Sequence, residues 1–209
     1  GGWVPGQGAS VWPGERATYV RAGSQLVMPV HSNLTSAPAV PDHTRVHLMT
    51  SDTPPADVVG GQPLAALDLH IAAGDANARI TREFIWFGET PFEFVGIAGH
   101  MHLLGTRMSV EIVRAEGDEC VLDIPKWAFA WQEMFVLAEP VVVHRGDRVR
   151  LQCDFDNSMP NQPVVNGEQL APRDVDWGEG TLDEMCYASL VRSQPWSPAL
   201  AGQTQCAGV

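Results

Sequence analysis

An all-β chain folded as an antiparallel sandwich is the architecture this sequence predicts, and three observations predict it. Val149, Leu151, Cys153 and Phe155 alternate with Arg148, Arg150, Gln152 and Asp154, the two-residue period of a strand with one wet face. Twenty Gly and sixteen Pro are spread along the 209 residues, cutting the chain into short segments instead of long helices. The 44% hydrophobic composition supplies a core for one large domain, or for a sandwich carrying part of a second one.

Taken in order, Gln25 to His31 reads as a short apolar strand after the turn Ala22-Gly23-Ser24, and Thr44 to Thr50 reads as another, with Val46 and Leu48 on one face. Ser51 to Gly61 reads as a turn-rich linker. Ala66 to Ile71 alternates Leu67 and Leu69 against Asp68 and His70, as a half-buried strand does. Phe92 to His102 is an apolar run containing Gly96 and Gly99, followed by Met108, Val110 and Ile112 in alternation with polar residues. The turn Glu116-Gly117-Asp118 returns the chain as Cys120 to Ile124; Phe135 to Val143 then leads into the turn Arg145-Gly146-Asp147. Residues 157–180, rich in Asn, Pro, Asp and Gly, predict a long surface excursion before a last strand near Met185 to Val191. Within that excursion Asp174-Val175-Asp176-Trp177-Gly178-Glu179 lacks the ligand spacing of an EF-hand, and its carboxylates read as turn formers.

Charge and length exclude several functions. A formal net charge of −12 repels phosphate backbones and anionic lipid surfaces, so nucleic acid is not an expected partner. No run approaches the roughly 20 apolar residues that cross a bilayer, so no membrane-spanning segment is expected. The start, Gly1-Gly2-Trp3-Val4-Pro5, has neither an initiator Met nor a signal peptide, and a processed chain or a fragment is the expectation. Four cysteines, Cys120, Cys153, Cys186 and Cys206, allow two disulfides in three connectivities, or thiols in a reducing compartment.

The chemistry centres on His100-Met101-His102. Two imidazoles two residues apart on a strand project from one face and can grip one ion, and imidazole suits Zn, Cu, Fe or Ni alike. His43, His47, His70 and His144 read as surface or hydrogen-bonded histidines. Trp127, Phe129, Trp131 and Phe135 alternate in a PKWAFAWQEMF segment, and packing is the expected role of these rings over substrate binding.

Gly99-His100-Met101-His102-Leu103-Leu104-Gly105, then Cys153-Asp154-Phe155-Asp156-Asn157, then Glu184-Met185-Cys186 resemble, in order and spacing, the C-terminal catalytic domain of the copper type II, ascorbate-dependent monooxygenases, the family of the peptidylglycine α-hydroxylating and dopamine β-monooxygenases. The resemblance implies a jelly-roll-like sandwich in which His100, His102 and Met185 are both the copper ligands and the catalytic residues. A thioether beside two imidazoles agrees with that, because soft sulfur favours Cu(I) over Zn or Mg; Met185 as core filler is the alternative. The implied reaction is hydroxylation of an unactivated C–H bond of a small organic substrate by molecular oxygen activated at copper, with ascorbate or another one-electron donor supplying electrons. A noncatalytic β-sandwich subunit, or a copper-binding module of a larger assembly, is the alternative function.

The resemblance runs from about Val11 to Arg192. Gly23-Ser24-Gln25-Leu26-Val27-Met28-Pro29-Val30-His31 resembles the closing strand of the family's other copper domain, which makes His31 a remnant ligand of a second copper site. The upstream His-His pair of that site is absent from these 209 residues, so either an upstream domain or a partner subunit supplies it, or His31 is a remnant and the protein works with one copper. Domain boundaries follow: residues 1–50 as a remnant or the closing part of that N-terminal domain and residues 51–209 as the copper-binding sandwich. The resemblance also implies a Cys153–Cys186 disulfide, leaving Cys120 and Cys206 to pair; two bridges predict export to the periplasm or the extracellular space. Peptide-amidating members carry an Arg two residues before the HxH pair to hold the substrate carboxylate; Ala98 stands there, so glycine-extended peptides are not the expected substrate.

Overall fold

A computed structural model describes residues 8–28, 30, 40, 41 and 43–199. In chain order the strands are β1 (Arg16–Ala17), β2 (Asp57–Ala65), β3 (His70–Ile71), β4 (Ala78–Ile85), β5 (Phe92–His100), β6 (Gly105–Val113) and β7 (Glu119–Ile124). They continue with β8 (Met134–Val143), β9 (Arg148–Phe155), β10 (Val164–Val165), β11 (Glu168–Gln169), β12 (Val175–Asp176) and β13 (Tyr187–Pro195). A 3-10 turn covers Met159–Asn161. Among the described residues no helix is long and apolar enough to cross a membrane.

Two sheets make an all-β sandwich. One has the order β1-β2-β13-β5-β8 and the other β4-β9-β6-β7, and every pairing within them is antiparallel except the two-residue β1–β2 contact. Phe94, Ile97, Ala188 and Leu190 from the first sheet and Met108, Val110, Ile112, Val149, Leu151 and Phe155 from the second close over one buried core. The alternation read at 148–155 is therefore the inward face of β9. Its outward face is a lattice of ion pairs: Arg150 meets Glu83, Glu111 and Asp118, and Arg79 meets Asp154. The predicted turns at 116–118 and 145–147 form with Gly117 at φ 138° and Gly146 at φ 94°, backbone that residues with a Cβ rarely adopt.

The Cys153–Cys186 disulfide forms, with the Cα atoms 5.8 Å apart. It runs from β9 to the residue just before β13, so it ties the two sheets together. Cys120 carries an exposed free thiol, and Cys206, its expected partner, lies outside the described residues, as does His31.

Three local readings are corrected. Residues 57–61, read as linker, belong to the nine-residue strand β2, because the full-length ladder with β13 imposes the extended backbone despite Gly60, Gly61 and Pro63. Within 66–71 only His70 and Ile71 form a strand, and Leu67 stands exposed at a turn while Leu69 is buried, so the two leucines do not share a face. Thr44 to Thr50 and the described residues of 25–31 form no strand: Leu26, Val27, Val46, Leu48 and Met49 are exposed. An alternating pattern becomes a strand only beside a hydrogen-bonding neighbour, and no described strand pairs with these segments.

Candidate metal centre

Strand β5 delivers the first imidazole. Ile97 is buried in the core, and Gly99 lies so close to Met108 of the facing sheet that a Cβ there would run into its sulfur. With Ile97 and Gly99 inward, alternation leaves Ala98 and His100 on the outer face. The chain then leaves the sheet, buries Met101 against Gly105, and places His102 two residues beyond the strand end, only 5% exposed. The strand is shorter than the predicted 92–102, yet the pair stays together: the ring centroids are 5.0 Å apart and the planes meet at 80°.

Both rings are held by Nδ1. His102 Nδ1 lies 2.9 Å from the carbonyl oxygen of Asp183, a group that can only accept, so His102 keeps its proton on Nδ1. His100 Nδ1 lies 2.6 Å from Gln132 Oε1, and Gln132 Nε2 donates to the Phe129 carbonyl at 2.8 Å, which orients the amide with its oxygen toward His100. Each ring is thereby left with an Nε2 lone pair. Burial pushes the His100 pKa below the ordinary imidazole value, and the neighbouring His102 adds to that against the Gln132 hydrogen bond; the net shift favours the neutral ring.

The main chain around Met185 is joined to that of His102 through Glu184. Tyr187 pairs with His100 at the end of the β13–β5 ladder, so the segments that carry Met185 and His102 leave the sheet side by side. There the Glu184 carboxylate, fully buried, accepts three main-chain hydrogen bonds: Leu104 N–H on Oε1 at 2.6 Å, and His102 N–H and Met185 N–H on Oε2 at 2.8 and 3.2 Å. One carboxylate oxygen thus joins the main chains of two of the three predicted ligands. Burial raises the Glu184 pKa to about 7, against the pull of the three donors.

The loop between β7 and β8 covers the other side. Trp127 Nε1 donates to the His102 carbonyl at 3.2 Å, and the Phe129 ring stands edge-on to His102 at 5.9 Å. Trp127 packs in the core as expected, whereas Phe129 reaches the imidazole pair and Trp131 is 68% exposed. Sequence reasoning did not find Glu184 or Gln132. A buried Glu runs against its usual surface preference, and Gln132 sits in an aromatic segment with no spacing signal linking it to a histidine 32 positions away.

Among the described residues no three His, Cys, Asp or Glu side chains gather as a metal cluster. Two imidazoles whose Nδ1 atoms are spent on acceptors, beside a thioether-bearing segment, fit a soft ion such as Cu(I). The acidic stretch 174–179 is engaged elsewhere: Asp174 accepts the Ala73 N–H and Asp176 pairs with His70, each at 2.8 Å.

Residues 86–191 match the family described as copper type II ascorbate-dependent monooxygenase, C-terminal domain. The matched span contains β5 through most of β13, and with it His100, His102, Met185 and both bridged cysteines. No curated protein matches the chain.

Proposed function

Since the chain belongs to the copper type II ascorbate-dependent monooxygenase family through its C-terminal domain, we propose that it holds one copper ion on His100, His102 and Met185 and hydroxylates a C–H bond of a small organic substrate with molecular oxygen. The observation that carries this reading is the hydrogen-bonding of the pair: both Nδ1 atoms are committed to acceptors, which leaves two Nε2 lone pairs on rings 5.0 Å apart. When bound, the metal supplies the oxygen activation and one-electron chemistry, with ascorbate or another one-electron donor as reductant.

The residues of the chain bind and position. Glu184 holds the main chains of His102 and Met185 at a common oxygen, while Phe129 and Trp127 keep water from one flank of His102. Beside His100 on the outer face stands Ala98, opposite Ser189 on β13 and Met134 on β8. A methyl, a hydroxyl and a thioether offer no cation to a carboxylate, which supports a substrate other than a carboxylate-anchored peptide.

The proposal extends to the rest of the chain: residues 51–209 form the copper-binding sandwich, with β1 docked on its β2, and residues 1–50 are the remnant or closing part of a separate copper domain whose site, with His31 as a ligand, an upstream domain or partner subunit completes. An exported location fits the Cys153–Cys186 bridge, since such bonds persist in oxidising compartments.

Copper loading under reducing conditions tests the site. The His100/His102/Met185 centre should take up one Cu(I), with a sulfur scatterer in its X-ray absorption spectrum. Met185→Ile should weaken Cu(I) binding more than about tenfold, the lower end of what losing even an outer partner costs. Its packing cost should stay below about 1.5 kcal/mol because the swap nearly conserves volume. His100→Ala should weaken binding likewise and His144→Ala should not. No sulfur scatterer, with unchanged affinity in every variant, would leave a noncatalytic sandwich subunit as the better reading.

A further inference from the structure

One loop, residues 125–133 between β7 and β8, contacts both imidazoles, and its contacts differ in kind. Trp127 and Phe129 reach His102 through its main-chain carbonyl and its ring edge. Gln132 alone reaches His100, and it does so at the ring nitrogen that decides where the remaining lone pair points. Its side chain is 7% exposed and its Nε2 is spent on the Phe129 carbonyl, so its oxygen has one orientation and one partner.

Resting on the copper reading above, we infer that Gln132 is a positioning residue that keeps His100 in the Nδ1–H tautomer, so that the loop carrying it presets the Nε2 atom for the metal before any metal arrives. The two ligand histidines are preset by different means. His102 uses the main-chain carbonyl of Asp183, which no side-chain replacement removes, whereas His100 depends on a side chain. A substitution at 132 therefore acts on the tautomer of one imidazole, and the tautomer of the other, held by the main chain, is an internal control. Gln132 also joins the aromatic segment to the site: its hold on Phe129 O ties the residue packed against His102 to the residue bound to His100.

Long-range proton–nitrogen correlation on the uniformly nitrogen-15-labelled, metal-free chain at pH 8 reads the tautomers directly. Both His100 and His102 should carry the proton on Nδ1 in the parent. Gln132→Leu, which removes the acceptor and keeps apolar bulk, should move His100 toward Nε2–H and leave His102 unchanged. Gln132→Glu, which keeps an acceptor oxygen, should retain the parental tautomer. Cu(I) affinity should fall by about 10- to 100-fold in Gln132→Leu, the range found when an outer partner of a metal-bound histidine is lost, and recover most of the way in Gln132→Glu. A parental His100 protonated on Nε2 overturns the inference, and this measurement needs no variant to fold. An unchanged His100 tautomer in Gln132→Leu overturns it equally. Tautomers that respond as expected in a chain whose copper binding ignores His100 and Met185 would uphold the role of Gln132 toward His100 and overturn the copper reading instead.

Discussion

Glu184 shows how much a single buried side chain organises at this site. Its two oxygens take three main-chain N–H groups from segments some 80 residues apart, so replacing one oxygen by an amide NH2 leaves at least one buried N–H facing another donor. Glu184→Gln should lower unfolding stability by about 1–3 kcal/mol, the cost of an unsatisfied buried polar group, and weaken Cu(I) binding in parallel. Burial pushes the Glu184 pKa up to about 7, while the three N–H groups favour the ionised form that accepts them on both oxygens. Thermal denaturation with a copper titration checks this; a variant as stable as the parent would mean that the three N–H groups find other acceptors. At this scale the sequence announces only ligand types. Met185 and the two histidines stand out because their motifs recur in order and spacing, whereas a Glu and a Gln that act by accepting hydrogen bonds look like any other polar residue.

Elements are held at the same end of the sandwich by a covalent link. The Cys153–Cys186 bridge joins β9 to the residue before β13, with a sequence separation of 33. A loop of that length makes the crosslink worth roughly 3.5 kcal/mol in the chain-entropy account, so Cys153→Ala with Cys186→Ala should cost about that much in chemical denaturation. Cu(I) should also dissociate faster from the double variant, because Met185 is chained to Cys186 and loses its anchor to the second sheet. An equally stable double variant would show that the ladder of β13 with β2 and β5 anchors this segment unaided. Strand β2 carries the complementary lesson. Its DVVGGQPLA sequence looks like a linker, and its nine residues are extended because β13 pairs with them along their whole length.

Across the molecule, order follows the pairing of strands. The central strands β5, β6, β9 and β13 bury one core, while residues 45–50 pair with no strand among the described residues and Met49 is 89% exposed. Hydrogen exchange should separate the two: amides of residues 45–50 should exchange with little protection, and those of β6, β9 and β13 should be protected to near the global unfolding free energy. Strong protection at 45–50 would reveal a pairing partner for that segment. By itself the sequence determined the all-β class, the inward faces of β6 and β9, the turns at Gly117 and Gly146, and the resemblance that singles out His100, His102 and Met185. Those follow from local rules: a two-residue period, the backbone freedom of glycine, and motif spacing. Only the tertiary structure decided that residues 57–65 are a strand and that 44–50 are not. It alone revealed that one oxygen of the buried Glu184 accepts the main-chain N–H groups of His102 and Met185, and that Gln132 Oε1 and the Asp183 carbonyl meet the Nδ1 atoms of His100 and His102. The physical reason is distance along the chain: the hydrogen bonds to His100 and His102 come from 32 and 81 positions away, and no local pattern couples residues that meet only when the sheets close.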